Sequence, residues 1–252
     1  MINKELLNKG RNFLKDTVRL SMDMSQTDQA SGVPVPPMQK SVSPAAQIIT
    51  LVKPRDWDTI EPIELRSAFA RRRSRRNFSD KSLTQEELSF LLWATQGVAR
   101  KFGDNATFRT VPSAGARHSL ETYLCVNNVS GLDKGVYRYL PLSHELVLVR
   151  PDDDIANKTA TAVMGQNFVA TAAVVFLWAA IPYRMEWRYG LAAHKVVALD
   201  AGHVCQNLYL ACEAISSGTC AIAAYDQKAI DNLIGVDGED EFVIYLAPVG
   251  RN

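Results

Sequence analysis

Residues 71 to 78 read RRRSRRNF, five arginines in eight positions around a single serine. Guanidinium groups make forked, charge-assisted hydrogen bonds to phosphate, and Ser74 can add a hydroxyl donor. Nucleic acid, an anionic membrane, a protein partner and a phosphorylated small molecule all suit such a cluster; a plain solvated helix end has the same composition. A second stretch, RTVPSAGARHSLETYLCV from Arg109 to Val126, runs the small residues Pro112, Ser113, Ala114, Gly115 and Ala116 straight into an apolar segment. Small side chains let a planar ring lie against the backbone, with Gly115 permitting a turn and Ser113 offering a donor. A simple turn would use the same residues. A third stretch, FVIYLAPVGRN, carries Gly250 and Arg251 at the end of an apolar run. There the arginine either closes an anion site from another direction or frays into solvent.

The balance of charge chooses among these ligands. Lys plus Arg number 28 and Asp plus Glu 27 in 252 residues, a formal net charge of +1. A protein that holds nucleic acid displaces counterions from many phosphates and carries a clear basic excess. Here the positive charge is local, which favours one small anion over a polymer. Nucleic-acid binding is left as a distant alternative. Hydrophobic residues at 47% and charged residues at 22% are ordinary for a soluble globular domain. Cys125, Cys205, Cys212 and Cys220 fall in apolar segments without C-x-x-C spacing, the pattern of reduced, buried thiols in a cytoplasmic protein. The four histidines are scattered, so no metal site is expected. The amino-terminal residues lack the apolar core of a secretory signal, and the longest apolar run, at 169–181, is too short for a bilayer.

Periodicity supplies the elements that must position these residues. Residues 3–20 pattern as an amphipathic helix with Leu6, Leu7, Phe13, Leu14 and Val18 on one side. The Ser-, Gln- and Pro-rich stretch after it holds no regular structure. Residues 1–60 are therefore expected as an extension that wraps the domain or reaches a neighbour, and 61–252 as the domain. Pro62 to Arg73 predicts a helix with Pro62 in its first turn. Thr84 and Glu87 predict a capping box for a second helix that stops at Gly97, which leaves the arginine cluster in the connection. Strands are predicted at 120–127, 172–180 and 241–247, with a hairpin from GVYRYL to HELVLVR. A helix over 194–216 carries Val197, Ala201, Val204, Leu208, Ala211 and Ile215 four and three apart, a seam for its own core or for another helix in a dimer. The fold class is α+β.

Four motifs in order, R-R-S-x-R-x-F, P-S-A-G-x-x-H-x-L-E, L-D-A-G-H-V-x-Q-N-L-Y-L-A and P-V-G-R, resemble the nitroreductase superfamily of flavoproteins across 62–252. Their spelling is nearest to the SagB-type dehydrogenase branch, which includes azoline oxidases. The resemblance implies a nitroreductase-like fold, with a central, mostly antiparallel sheet flanked by helices and a long central helix. It also implies FMN bound at the interface of a homodimer. By position, Arg72, Arg73, Ser74 and Arg76 would hold the phosphate and ribityl chain, joined by Arg251. Pro112, Ser113, Ala114 and Gly115 would line the isoalloxazine, with His118 close by. Ala221 to Ala224 match the loop whose backbone approaches flavin N5, which brings Ala223 and Ala224 into the cofactor set. Arg71 and Arg75 are left over as surface charge.

The implied activity is hydride transfer through N5, with NAD(P)H as a transient donor and a nitroaromatic, quinone or similar small molecule as acceptor. Oxidation of azolines to azoles is the alternative. Two departures stand out. Ala223 occupies a position where many relatives have glycine, and Trp187-Arg188-Tyr189-Gly190 stands where azoline oxidases have W-K-Y-G. Lysine can act as a base when buried, whereas arginine, with a pKa above about 12, stays charged. Arg188 and Tyr189 are the catalytic candidates, Arg188 to hold an anionic substrate or developing charge, Tyr189 to donate a proton or pack. Ala192, His194 and Lys195 then replace family arginine and aromatic positions.

Overall fold

The computed structural model describes residues 3–103 and 105–252. Helix α1 (Lys4–Leu14) and strand β1 (Ile48–Thr50) come from the first sixty residues. Helices α2 (Leu65–Arg71) and α3 (Gln85–Gln96) follow, then a hairpin of β2 (Val98–Phe102) and β3 (Ala106–Arg109). Next come β4 (Leu120–Val126), β5 (Gly135–Leu140), β6 (Glu145–Pro151), α4 (Ile155–Ala162) and β7 (Val174–Ala180). Helices α5 (Tyr183–Tyr189) and α6 (Ala193–Ala214), strand β8 (Ser217–Thr219), helix α7 (Gln227–Ile234) and strand β9 (Phe242–Arg251) complete the set.

The main sheet has the order β1-β6-β5-β4-β7-β9-β8, with every pairing antiparallel. Strand side chains alternate between faces, and at the centre both faces are covered. Leu120, Leu124, Val126, Phe176 and Trp178 pack with α3 and α6, while Tyr123, Cys125, Val175, Leu177 and Ala179 pack with α4 and α7. That two-sided burial is why the run at 169–181 reads as continuously apolar. β9 extends beyond the predicted 241–247 because its far end pairs with β8.

The capping box forms as predicted: the Glu87 N–H donates to Thr84 Oγ1 at 3.1 Å and the Thr84 N–H to the Glu87 carboxylate at 2.8 Å. Two expectations change, and a third resolves to one of its two readings. α2 starts at Leu65, so Pro62 lies outside it. α1 ends at Leu14 because Lys15 is extended, and Val18 belongs to a separate 3₁₀ turn at Thr17–Ser21; Leu6, Leu7, Phe13 and Leu14 stay exposed. The seam from Val197 to Ile215 is buried in this chain's own core, so it cannot serve a second helix. The outward strip of α6 is Leu199, His203 and Gln206, with Leu210 half-buried.

The first sixty residues are stitched to the domain. Tyr183 donates to Asp28 at 2.6 Å, Trp187 Nε1 to the Val33 carbonyl at 2.9 Å, and Arg109 to the Met38 carbonyl at 3.1 Å. Beneath them lies a buried ionic group. Glu121 bridges Arg184 and Arg138, all three nearly inaccessible, and Arg138 continues to the carbonyls of Lys40 and Ser41 at 3.2 and 2.8 Å. β1 adds an edge strand against β6.

Candidate active site

After α2 the chain runs beside β8, with the Arg75 N–H donating to the Thr219 carbonyl at 3.0 Å and Ser74 in parallel register with Thr219. This sheet-edge contact fixes Ser74. Its hydroxyl lies 3.0 Å from Tyr209 Oη on α6, and the Arg72 guanidinium sits 5.3 Å from the Tyr209 ring centroid, a cation–π geometry. Tyr209 Oη also accepts the Ala221 N–H at 2.8 Å. Tyr209 had been given no role from the sequence; its only signal was its place in the third motif.

The arginines divide into two groups. Arg71 and Arg75 pair with the buried carboxylate of Glu213, at 3.8 and 3.1 Å. The expectation of loose surface charge is thereby corrected, since these two clamp α2 to the last turn of α6. Arg72, Arg73 and Arg76 have no carboxylate partner among the described residues; Arg73 turns to the carbonyls of Ala70 and Arg72, at 3.0 and 2.7 Å. Arg251 lies at the same end of the sheet, paired in register with Ser217. Its guanidinium is engaged within the chain, by the Glu87 carboxylate and the Ile215 carbonyl.

An apolar cleft of about 600 Å³ opens along the same side of α6. Its walls include Phe13 of α1, Pro182, His194, Ala198, Gly202, Ala223 and Tyr245. At 100° per residue, Ala198, Gly202 and Tyr209 fall within a sector of about 40°, so cleft and arginine end share one helix face. The loop at Ala223 is pinned by Tyr209 and by mutual bonds between Ile222 and Leu246, at 2.8 and 3.2 Å. The Ala223 amide itself has no acceptor among the described residues. Ala224 stands exposed beside it, its carbonyl accepting from Gln166 at 3.1 Å.

The small-residue loop sits elsewhere. The His118 N–H donates to Ser113 Oγ at 2.9 Å, and the Ala114 N–H to the Asp200 carboxylate at 3.3 Å; Pro112 is exposed. Gly115 has φ +58°, and a Cβ there would meet Tyr189 Oη at 2.6 Å and Arg188 Nε at 2.8 Å. The positive φ favours glycine, and a side chain there would also have to push the Tyr189 and Arg188 side chains aside. Arg188 and Tyr189 are thus brought against Gly115, with the guanidinium 5.6 Å from the tyrosine ring centroid. His118 is turned into the interior. It is 5% exposed, and its Nε2 meets the Thr107 carbonyl at 3.0 Å. Burial, and then Arg109, depress its pKa to about 3, so the ring is neutral and props the loop from below.

Asp200 and Tyr209 are nine residues apart on α6, which places them half a turn out of phase and about 13 Å apart along the axis. Within one chain, the small-residue loop and the arginine end lie on opposite faces of that helix. No cluster of metal-ligating side chains occurs among the described residues, and no helix among them is long and apolar enough to cross a membrane.

A central antiparallel sheet, one long core helix and an apolar cleft along that helix define the scaffold. Residues 69–251 match the nitroreductase family, and the chain belongs to that family of oxidoreductases. A Methanocaldococcus jannaschii protein assigned as a nitroreductase is 36% identical over 192 residues, 76% of this chain and 93% of that protein. A trifolitoxin-processing protein of Rhizobium leguminosarum is 34% identical over 125 residues, 48% of this chain and only 40% of that protein. Among solved structures, one assigned as a nitroreductase from Ralstonia eutropha superposes with a TM-score of 0.67 at 27% identity, covering 86% of this chain and 98% of the other.

Proposed function

We propose that this protein is an FMN-dependent oxidoreductase that moves hydride from NAD(P)H to a nitroaromatic, quinone or similar small acceptor. One observation carries the reading. The Arg72 guanidinium meets the Ser74 and Tyr209 hydroxyls, with Arg73 and Arg76 beside it in the chain and without carboxylate partners among the described residues, and Tyr209 also pins the loop whose free Ala223 amide lies at the apolar cleft. Such a donor set fits one terminal phosphate, and the sequence has no G-x-G-x-x-G loop to cradle the pyrophosphate of FAD. Bound FMN would supply the hydride chemistry at N5. Arg72, Arg73, Arg76 and Ser74 would hold the phosphate, the Ala223 N–H would donate toward the ring, and the apolar walls would exclude water. Arg251 joins them only by exchanging Glu87 for the anion.

The small-residue loop completes such a site only from a second copy, so the proposal includes a homodimer with the loop and Arg188 contributed by the partner. Four free, buried cysteines support a reducing, cytoplasmic setting. A second reading, dehydrogenation of azolines in a peptide, draws on the trifolitoxin-processing relative. Arg188 in place of a lysine base speaks against it. Mass spectrometry of the released flavin, followed by rapid-mixing reduction with NADH and NADPH, tests the proposal. FMN reduced by either nucleotide supports it; FAD, or no flavin, overturns it.

A further inference from the structure

Arg188 sits against Gly115, on the other side of α6, so the apolar cleft needs another group wherever its chemistry moves a proton. Among the described residues lining it, two side chains can exchange one, His194 and Tyr245. Burial, and then Cys205, push the Tyr245 phenol up to about 12, so it keeps its proton at neutral pH. His194 is placed differently. It opens α6 at the mouth of the cleft, and its Nε2 lies 2.8 Å from Glu186 Oε1 on α5. A carboxylate on one ring nitrogen orients an imidazole and leaves the other nitrogen for exchange, the arrangement used wherever a base is held by a third group.

His194 also borders a second groove of about 600 Å³, which shares Pro182 and Phe242 with the cleft. The ionisable groups facing it there are Tyr183 and Glu186 from α5, and Glu239 and Asp240 from the turn before β9; Lys195 is its neighbour on α6. This polar groove joins His194 to solvent, whereas the cleft wall around it is apolar.

We infer that His194, oriented by Glu186, is the proton-transfer residue of the cleft. The inference rests on the flavin reading above. In the reducing direction, bound flavin would supply hydride to one end of the acceptor's conjugated system. The displaced electron pair would collect on the acceptor oxygen at the other end, and that oxygen would take a proton from His194 Nδ1. The histidine is left neutral, with its Nε2–H donated to Glu186, and regains a proton through the polar groove. NAD(P)H is the reductant that restores the flavin. In a dehydrogenation the same nitrogen accepts the proton as hydride leaves the substrate.

The test uses flavin-loaded wild type, His194→Gln, His194→Ala and Glu186→Gln. Flavin content, reduction by NADH, and reoxidation of the reduced protein by menadione are followed from pH 5 to 9. Binding of 4-nitrophenol is measured by calorimetry in two buffers, to count protons taken up. The expected result is reoxidation slowed by about 100-fold or more in both His194 variants, with a pH profile unlike that of wild type. Flavin content and reduction by NADH stay as in wild type, and proton uptake with 4-nitrophenol disappears. Glu186→Gln, which keeps the imidazole but loses the carboxylate that orients it, slows reoxidation by less than the His194 variants do. Unchanged reoxidation rates and proton uptake in His194→Ala overturn the inference and leave the flavin reading intact. Wild-type protein without flavin removes that reading, and this inference with it.

Discussion

Asp200 and Tyr209 look out from opposite faces of one helix, the first holding the Ala114 amide at 3.3 Å and the second the Ala221 amide at 2.8 Å. A helix about 10 Å thick stands between the two loops they fix. A planar cofactor that touches both therefore needs two chains. The outward strip between those faces carries Leu199, which is 52% exposed. We expect a dimer in light scattering, and Leu199→Glu to give a monomer with little bound flavin. A monomeric wild type with full flavin occupancy would refute the shared site.

The two arginine groups predict two phenotypes. Arg72→Ala removes a charged donor from the anion end, where each such bond is worth about 1.5–3 kcal/mol. Flavin affinity should fall roughly 10- to 150-fold with little change in melting temperature. Arg75→Ala instead leaves buried Glu213 with only the longer contact to Arg71. It should lower the melting temperature and leave flavin affinity nearly unchanged. Equal effects of both changes on both readouts would dissolve the distinction.

Stability should decline with acid in two stages. His118 has a pKa of about 3 in the fold against an ordinary 6.5, so only the unfolded chain takes up its proton between those values. The stability tied to this residue is whole above pH 6.5 and falls as pH drops, by up to about 1.4 kcal/mol per pH unit. Glu121 acts lower. Desolvation raises its pKa, but Arg184 and Arg138 outweigh that and hold the carboxyl below its ordinary 4.5. Its contribution is present above pH 4.5 and disappears beneath it. Urea unfolding at pH 7, 6 and 5 should show the slope in wild type and a flatter one in His118→Gln.

Phe13 reaches the cleft from α1 while remaining 49% exposed. Phe13→Ala should cost little stability, yet it removes an aromatic wall worth about 1 kcal/mol to a planar acceptor. KM for such acceptors should rise several-fold at nearly constant kcat. An unchanged KM across a panel of aromatic acceptors would exclude Phe13 from the site.

Where local chemistry decides, the sequence was readable. The Thr84–Glu87 capping box, the hairpin and the buried central strands need only neighbours in the chain or a period of two. The helical seam at Val197 to Ile215 showed which side of α6 is apolar but not what covers it, because periodicity is blind to the covering element. The roles of Arg71 and Arg75 depended on Glu213, 138 residues beyond Arg75, and no spacing rule reaches that far. Tyr209 and the Glu186–His194 pair were hidden similarly: a tyrosine or histidine acquires its role from the element placed against it.

Residues 36–41 have a consequence for how the chain is made. Their carbonyls end the search of three interior guanidinium groups for acceptors: Arg117 finds Pro36, Arg109 finds Met38, and Arg138 finds Lys40 and Ser41. These residues lie ahead of the segment 69–251 that matches the family, yet the interior closes only with them in place. A ribosome delivers the amino-terminal strap first and the strands it serves later. The strap must wait, unfolded, until β4 and β5 emerge, and the interior cannot seal before it threads into place.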